Sequence, residues 1–234
     1  MTMEIRVLDD PAAACADLLV EAAEAGRHIC LTGGGTPKDA YQRAASKGAD
    51  WSGATLWWGD ERCVDPGDEL SNFAMAKKAL LDPVGAPPPA FHRIRAETGP
   101  SAGADDYERE LRSVLGEEMP RLDLMLLGLG PDAHVASLFP GQDTLEVRDR
   151  VAVGVQQAGH EPYVPRVSLT LPVLCDAEHI VFLVAGDGKA EAVARSFGSD
   201  VPDAQAPGRL VRPTNGKLTL LLDEAAASRL NSTA

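Results

Sequence analysis

The chain has 234 residues, 44% of them hydrophobic, with 22 Lys plus Arg against 35 Asp plus Glu, a formal net charge of −13. That length suits one α/β domain spanning residues 1–234. The charge argues against nucleic acid or an anionic membrane as a partner, so an anionic ligand would need a local cluster of basic groups.

Apolar, strand-like runs at 5–8, 28–31, 54–58, 122–127, 151–155, 166–170, 179–184 and 218–222 alternate with helix-like stretches at 11–25, 37–46, 71–81, 104–115, 189–196 and 224–230. This alternation predicts an α/β fold with a mostly parallel sheet covered on both faces. Ser71 and Asp223 stand where helix N-caps belong. Two breaker-rich loops, 82–90 with four prolines and 198–213, are too short to be domain linkers. No repeat is visible, so a single domain is expected. No apolar run approaches the roughly 20 residues of a membrane helix. Residues 1–10 are acidic and lack a signal-peptide core, which points to the cytoplasm. In that setting the Asn231-Ser232-Thr233 sequon reads as chance. Cys15, Cys30, Cys63 and Cys175 show no CxxC spacing, so free thiols are expected.

The run 122–127 ends in Gly128-Leu129-Gly130-Pro131, which cannot continue a strand, and Asp132-Ala133-His134 follows. An imidazole is thus delivered to the carboxyl end of a strand, with a helix expected directly after it. Three other readings of this loop are weaker. The glycines match a dinucleotide fingerprint, but they lie halfway along the chain and enclose a proline. Ser137 lies one helical turn beyond His134, yet no GxSxG elbow exists. Asp132 and His134 lack the companion spacing of a metal site.

Leu31-Thr32-Gly33-Gly34-Gly35-Thr36-Pro37-Lys38 follows a strand and opens a helix. Backbone N–H groups, a helix N-terminus and the Thr36 hydroxyl would cradle a phosphate, although the Walker spacing is absent and a plain tight turn would read the same way. Trp57-Trp58 reads as packing. Asp60, Glu61 and Arg62 form either a surface ion pair or a contact set in which Arg62 reaches an anionic oxygen and Asp60 orients a hydroxyl or water. Arg166 and Lys189 head toward the same edge, or are solvated surface cations. His28, His92, His160 and His179 read as structural or solvent-exposed.

Read together, LTGGGTPKDAY, WWGDERCV, SNFAMAKKALL, LDLMLLGLGPDAHVASLFPG, PRVSLTLPVL, FLVAGDGKAEAV and RPTNGKLTLLLDEA resemble the 6-phosphogluconolactonase family, in its order and over nearly the whole chain. The resemblance implies a Rossmann-like three-layer sandwich, shared with glucosamine-6-phosphate deaminases and ribose-5-phosphate isomerases. It implies hydrolysis of 6-phosphoglucono-δ-lactone in the pentose phosphate pathway with no cofactor. A sugar phosphate would be the partner, and the chain is expected to be a monomer or weak homo-oligomer. His134 matches the family's water-activating base. Gly34, Gly35, Thr36 and Lys189 match its ligand contacts, Asp60 and Arg62 line its site, and Arg166 matches its arginine before the LTLP strand. In the mechanism expected on this basis, Asp132 or a backbone carbonyl fixes the imidazole tautomer. Arg62 or N–H groups at the helix mouth stabilise the oxyanion.

Four positions depart from the family pattern. Ala133 replaces the glycine before the histidine, Val135 a threonine, Gly35 a frequent serine and Leu70 a common aspartate. If position 133 needs φ > 0, alanine there would carry about 1 kcal/mol of strain. Two competing readings remain. An aminosugar-phosphate deaminase would carry a glutamate five residues after the loop histidine, where Phe139 stands. A non-catalytic sugar-phosphate sensor would sit beside a DNA-binding segment, for which this acidic chain offers no room.

Overall fold

A computed structural model describes residues 2–116, 119–198 and 206–230. In chain order the elements are β1 (Thr2–Val7), α1 (Pro11–Glu24), β2 (His28–Leu31), α2 (Gly35–Ser46), β3 (Thr55–Trp58), β4 (Asp60–Arg62), α3 (Asn72–Ala76), β5 (Ala90–Phe91) and α4 (Pro100–Leu115). They continue with β6 (Leu124–Leu127), β7 (Ala152–Val155), β8 (Arg166–Leu169), α5 (Leu171–Asp176), β9 (His179–Val184), α6 (Ala190–Phe197), α7 (Pro207–Leu210), β10 (Lys217–Leu222) and α8 (Glu224–Ala227). The sequon at 231–233 and residues 199–205 of the breaker-rich loop lie outside the described residues.

Seven strands form one sheet in the order β1-β10-β9-β6-β2-β3-β5, and every pairing in it is parallel. All four residues of β6 are buried, as are the last five of β9 and of β10. Such continuous apolar runs are what a sheet covered on both faces demands. α1 packs with α2, while α6 packs with α7 and α8, and one continuous core joins them to the sheet. The result is a Rossmann-like three-layer α/β sandwich.

Local chemistry sets several boundaries. Asp10 accepts from the Ala13 N–H and Pro11 occupies the first turn, which starts α1. Ser71 caps α3 and Asp223 caps α8, each accepting from the N–H three residues on. The helix expected over 71–81 forms as α3 and then widens into a π-helical turn at Lys77–Leu81. Trp57 and Trp58 are both buried. Trp57 donates through Nε1 to His28 Nδ1 and stacks on His92 at 4.3 Å.

The strands expected over 151–155 and 166–170 are present but do not join the parallel sheet. With β4 they form a separate antiparallel sheet, β4-β8-β7. Gly59 is the junction. Its N–H donates to Leu31 O in the main sheet, and its carbonyl accepts from Leu169 N at the second. The chain therefore leaves one sheet and enters the other within a residue.

The ladder between β2 and β6 covers only Ile29↔Leu124 and Cys30↔Met125, whereas β6 pairs with β9 along its full length. After β2 the chain continues to β3 and β5 on one side, and after β6 to β9 and β10 on the other. The carboxyl ends of β2 and β6 thus flank a topological switch point, where open α/β sheets bind ligands.

Candidate active site

A cavity of about 250 Å³ opens at this point, and the loops after β2, β3, β6 and β9 line it together with the second sheet. It collects Gly34, Gly35, Thr36, Asp60, Arg62, His134, Arg166 and Lys189, residues scattered over most of the sequence. Asn72 and His160 line it as well. Among the described residues, no group of three or more His, Cys, Asp or Glu side chains gathers as a metal site.

His134 sits on a tight turn and not before a helix. Ala133 and Ala136 both have positive φ, +68° and +48°, and Val135 bridges Leu138, which closes the turn and prevents helix propagation. Asp132 Oδ1 lies 2.6 Å from His134 Nδ1 and also accepts from the His134 backbone N–H at 3.2 Å. Partial burial pushes the Asp132 carboxyl up, but the hydrogen bond and charge of His134 outweigh it and hold the group below the usual carboxylate range. An ionised carboxylate only accepts, so Nδ1 carries the proton in this contact and Nε2 is the ring nitrogen left to exchange one. Gly130 makes this placement possible: a Cβ there would stand 2.0 Å from His134 Nδ1. Phe139 backs the ring at 4.6 Å.

Ala133 does occupy the left-handed region, at a cost of about 1–2 kcal/mol. Glycine there would lose a buried methyl, worth about 0.8 kcal/mol, and would add about 0.5–1 kcal/mol of chain entropy. The two residues are nearly balanced, so alanine is compatible with the turn.

Ser137, expected one helical turn from His134, is instead fully buried and donates to Asp60 Oδ2 at 2.6 Å. Asn72 Nδ2 donates to Asp60 Oδ1 at 3.1 Å and to the Asp60 carbonyl at 2.9 Å. Asp60 is thus an interior anchor, and the surface ion pair with Arg62 does not form. Glu61 is also buried. It accepts from the N–H groups of Arg62, Asn72 and Phe73 and from the Ser71 hydroxyl, which ties β4 to the start of α3.

Arg166 is only 2% exposed, so the solvated-cation reading is corrected. Its Nη2 donates to the carbonyls of His160 and Pro162, its Nη1 reaches Ser137 Oγ at 3.4 Å, and its guanidinium lies over Phe139. Burial lowers its pKa, and the charge of Asp60 opposes that most strongly. The clamp on the His160 carbonyl folds that loop inward and brings the His160 ring within 5.8 Å of His134. His160 therefore belongs to the cavity wall. Nothing in its local sequence signals this, since it depends on a partner six residues along.

Arg62 donates through Nη1 to Leu70 O at 2.6 Å. Lys189 donates to Leu129 O at 2.7 Å, and burial pushes its ammonium below the usual lysine range against the pull of Asp132. α2 starts at Gly35, two residues earlier than expected. Gly34 precedes it at φ +115° with no side-chain cap, so the first N–H groups of α2 face the cavity. Three strong cations and a helix N-terminus supply the basic cluster that an acidic chain needs to hold an anion.

The fold and cavity define a Rossmann-like α/β protein whose cationic, histidine-bearing site lies at the carboxyl edge of its parallel sheet. The family model described as glucosamine-6-phosphate isomerases/6-phosphogluconolactonase matches residues 6–220. A 6-phosphogluconolactonase of Nostoc sp. is 38% identical over 207 residues, covering 87% of this chain and 84% of its own. A solved structure described as devB protein superposes with a TM-score of 0.86 at 34% identity, covering 98% of this chain and 100% of that one. The 6-phosphogluconolactonase from Trypanosoma brucei gives 0.84 at 26% identity, covering 98% of each. The chain belongs to the glucosamine-6-phosphate isomerase/6-phosphogluconolactonase family.

Proposed function

We propose that the protein hydrolyses 6-phospho-D-glucono-1,5-lactone to 6-phospho-D-gluconate with His134 as general base. The observation that carries this reading is the His134–Asp132 pair, 2.6 Å apart, held at a cavity that also presents Arg62, Arg166 and Lys189. His134 Nε2 takes a proton from water as its oxygen bonds to C1, and the carbonyl oxygen becomes an oxyanion. Arg62 stabilises that charge. Collapse breaks the bond from C1 to the ring oxygen, which receives the proton from Nε2. Base catalysis of this type contributes roughly 10²–10⁴-fold. Lys189, Arg166 and the Gly34–Gly35–Thr36 turn hold the remote phosphate, so binding energy far from C1 fixes the carbonyl.

Phe139 weighs against the deaminase reading. It is buried against the imidazole where ring opening would need a carboxylate. Among the described residues no helix is long and apolar enough to cross a membrane, and the proposal includes a cytoplasmic setting. The test generates the lactone in situ with glucose-6-phosphate dehydrogenase and follows its loss above the spontaneous background. Fast loss in wild type that falls by at least about 100-fold in His134→Ala is expected. Full activity in that variant would discard the base, and no activity in wild type would discard the reaction.

A further inference from the structure

The two edges of the seven-stranded sheet are built differently. β5 is two residues long and is preceded by Pro87, Pro88 and Pro89, a short, proline-flanked edge that resists pairing. β1, at the other end, is six residues long and has no proline. Its Met3, Ile5 and Val7 are 40%, 43% and 49% exposed, among the most exposed large hydrophobic side chains of the described residues. They alternate along the strand and so share one face. Glu4 and Arg6 lie between them on the opposite face, and neither has an ion-pair partner among the described residues.

The backbone adds a second constraint. Leu8 N–H donates to Leu222 O of the neighbouring β10 chain segment. In a parallel ladder the N–H and C=O of one residue point to one side and those of the next residue to the other. Glu4 and Arg6 therefore bond toward β10, and Met3, Ile5 and Val7 present their backbone groups to the open edge.

We propose that β1 is a self-recognition strand through which two copies of this chain pair antiparallel about a two-fold axis at Ile5. In that register Ile5 faces the partner's Ile5 and Met3 faces the partner's Val7. Each of these pairs exchanges backbone hydrogen bonds, because all of them point outward. Glu4 then faces the partner's Arg6, and the two-fold axis repeats the pair. Shifting the register by two residues in either direction keeps the hydrogen bonds but sets Glu4 against Glu4 or Arg6 against Arg6. Charge thus selects one register, and the apolar side chains form a ladder on the other face. One strand per copy is small beside the ~1,200–2,000 Å² of stable complexes, so the dimer is a weak one.

The experiment is sedimentation equilibrium on the untagged chain from low micromolar to several hundred micromolar. The mean mass is expected to rise from 24.7 kDa toward twice that value. Glu4→Arg and Arg6→Glu each turn both symmetry-related pairs repulsive and are expected to weaken association by about tenfold or more. The double variant E4R/R6E restores opposite charges and is expected to return to within about threefold of wild type. All of these residues lie outside the cavity, so unchanged lactone turnover and thermal unfolding confirm that each variant is folded. A wild-type chain that stays monomeric throughout overturns the proposal, including the case in which another protein covers β1. So do single variants that associate as tightly as wild type, or a folded double variant that fails to recover.

Discussion

Asp132→Asn isolates what the carboxylate contributes to His134, since it leaves shape and size almost unchanged. In the proposed mechanism the ring starts neutral and donates Nδ1–H to Asp132 Oδ1, 2.6 Å away. During attack, on that mechanism, the ring would become an imidazolium and the contact an ion pair. At an effective dielectric constant near 20, unit charges about 4 Å apart attract by about 4 kcal/mol. The two side chains are 16% and 29% exposed, so solvent screens part of this and about half survives. Asparagine keeps a neutral acceptor but no charge, so transition-state stabilisation falls by about 2 kcal/mol, a drop in kcat of roughly 30-fold. KM for the lactone should change little, because the proposed mechanism assigns the phosphate to Lys189 and Arg166. The assay is the coupled measurement of lactone loss, run across substrate concentration. A kcat within about threefold of wild type would refute the electrostatic role of Asp132. A fall confined to KM would move Asp132 from the base to the binding side.

Three further outcomes follow from the geometry. Lys189→Ala removes a charge-assisted contact and should lower kcat/KM for the phosphorylated lactone by roughly 10–100-fold. Turnover of unphosphorylated gluconolactone should be unaffected, and an equal loss on both substrates would sink the phosphate assignment. Gly35→Ser should be accommodated, since a Cβ at Gly35 meets nothing within 4 Å. Its hydroxyl at the start of α2 should lower KM by about 2–10-fold, a gain absent if the phosphate lies elsewhere. His179 tests stability against pH: burial, with Lys217 assisting, lowers its pKa from 6.5 to about 4. Folding therefore disfavours its protonated form, and the associated stability is complete above pH 6.5 and lost as pH falls toward 4. After discounting for partial exposure, urea unfolding should show wild type losing about 2 kcal/mol more than His179→Gln between neutral pH and pH 4. Parallel losses in the two proteins would remove the assignment.

What could be read from the sequence divides by the range of the interaction. The run at 179–184 emerges residue for residue as β9, and that at 28–31 as β2, because buried parallel strands are written as unbroken apolar segments. β4 escaped because Asp60-Glu61-Arg62 looks like surface, and only the pairing with β8 and the four donors around Glu61 turn it inward. The helix expected after His134 failed for a related reason. Ala133, Val135, Leu138 and Phe139 bury individually through a closed turn with two positive-φ alanines, a backbone choice that composition does not announce. Six of the seven segments that carry the family resemblance converge on the one cavity, all but the closing RPTNGKLTLLLDEA. The residues that connect them are not legible as such: Asn72 carries no signal, Ser137 reads as a nucleophile candidate and His160 as structural or solvent-exposed, because each acts through a partner distant in sequence.

That difference bears on how the site works. In the proposed mechanism His134, Arg62 and Lys189 supply the functional groups, and each has a recognisable motif around it. Their placement is decided by a second set of contacts: Gly130 leaves room for the imidazole, Asp60 holds Ser137 and Asn72, and Arg166 draws the His160 loop over the cavity. Arg166 belongs to both sets, since it is buried, spends Nη2 on two carbonyls, and still lines the cavity. Replacing it would release the His160 loop as well as remove a charge, so its loss would raise KM and lower kcat together. Lys189 makes one hydrogen bond to a carbonyl and carries no comparable structural duty. It is therefore the cleaner probe of anion binding, and a contrast between the two would separate holding the ligand from holding the site.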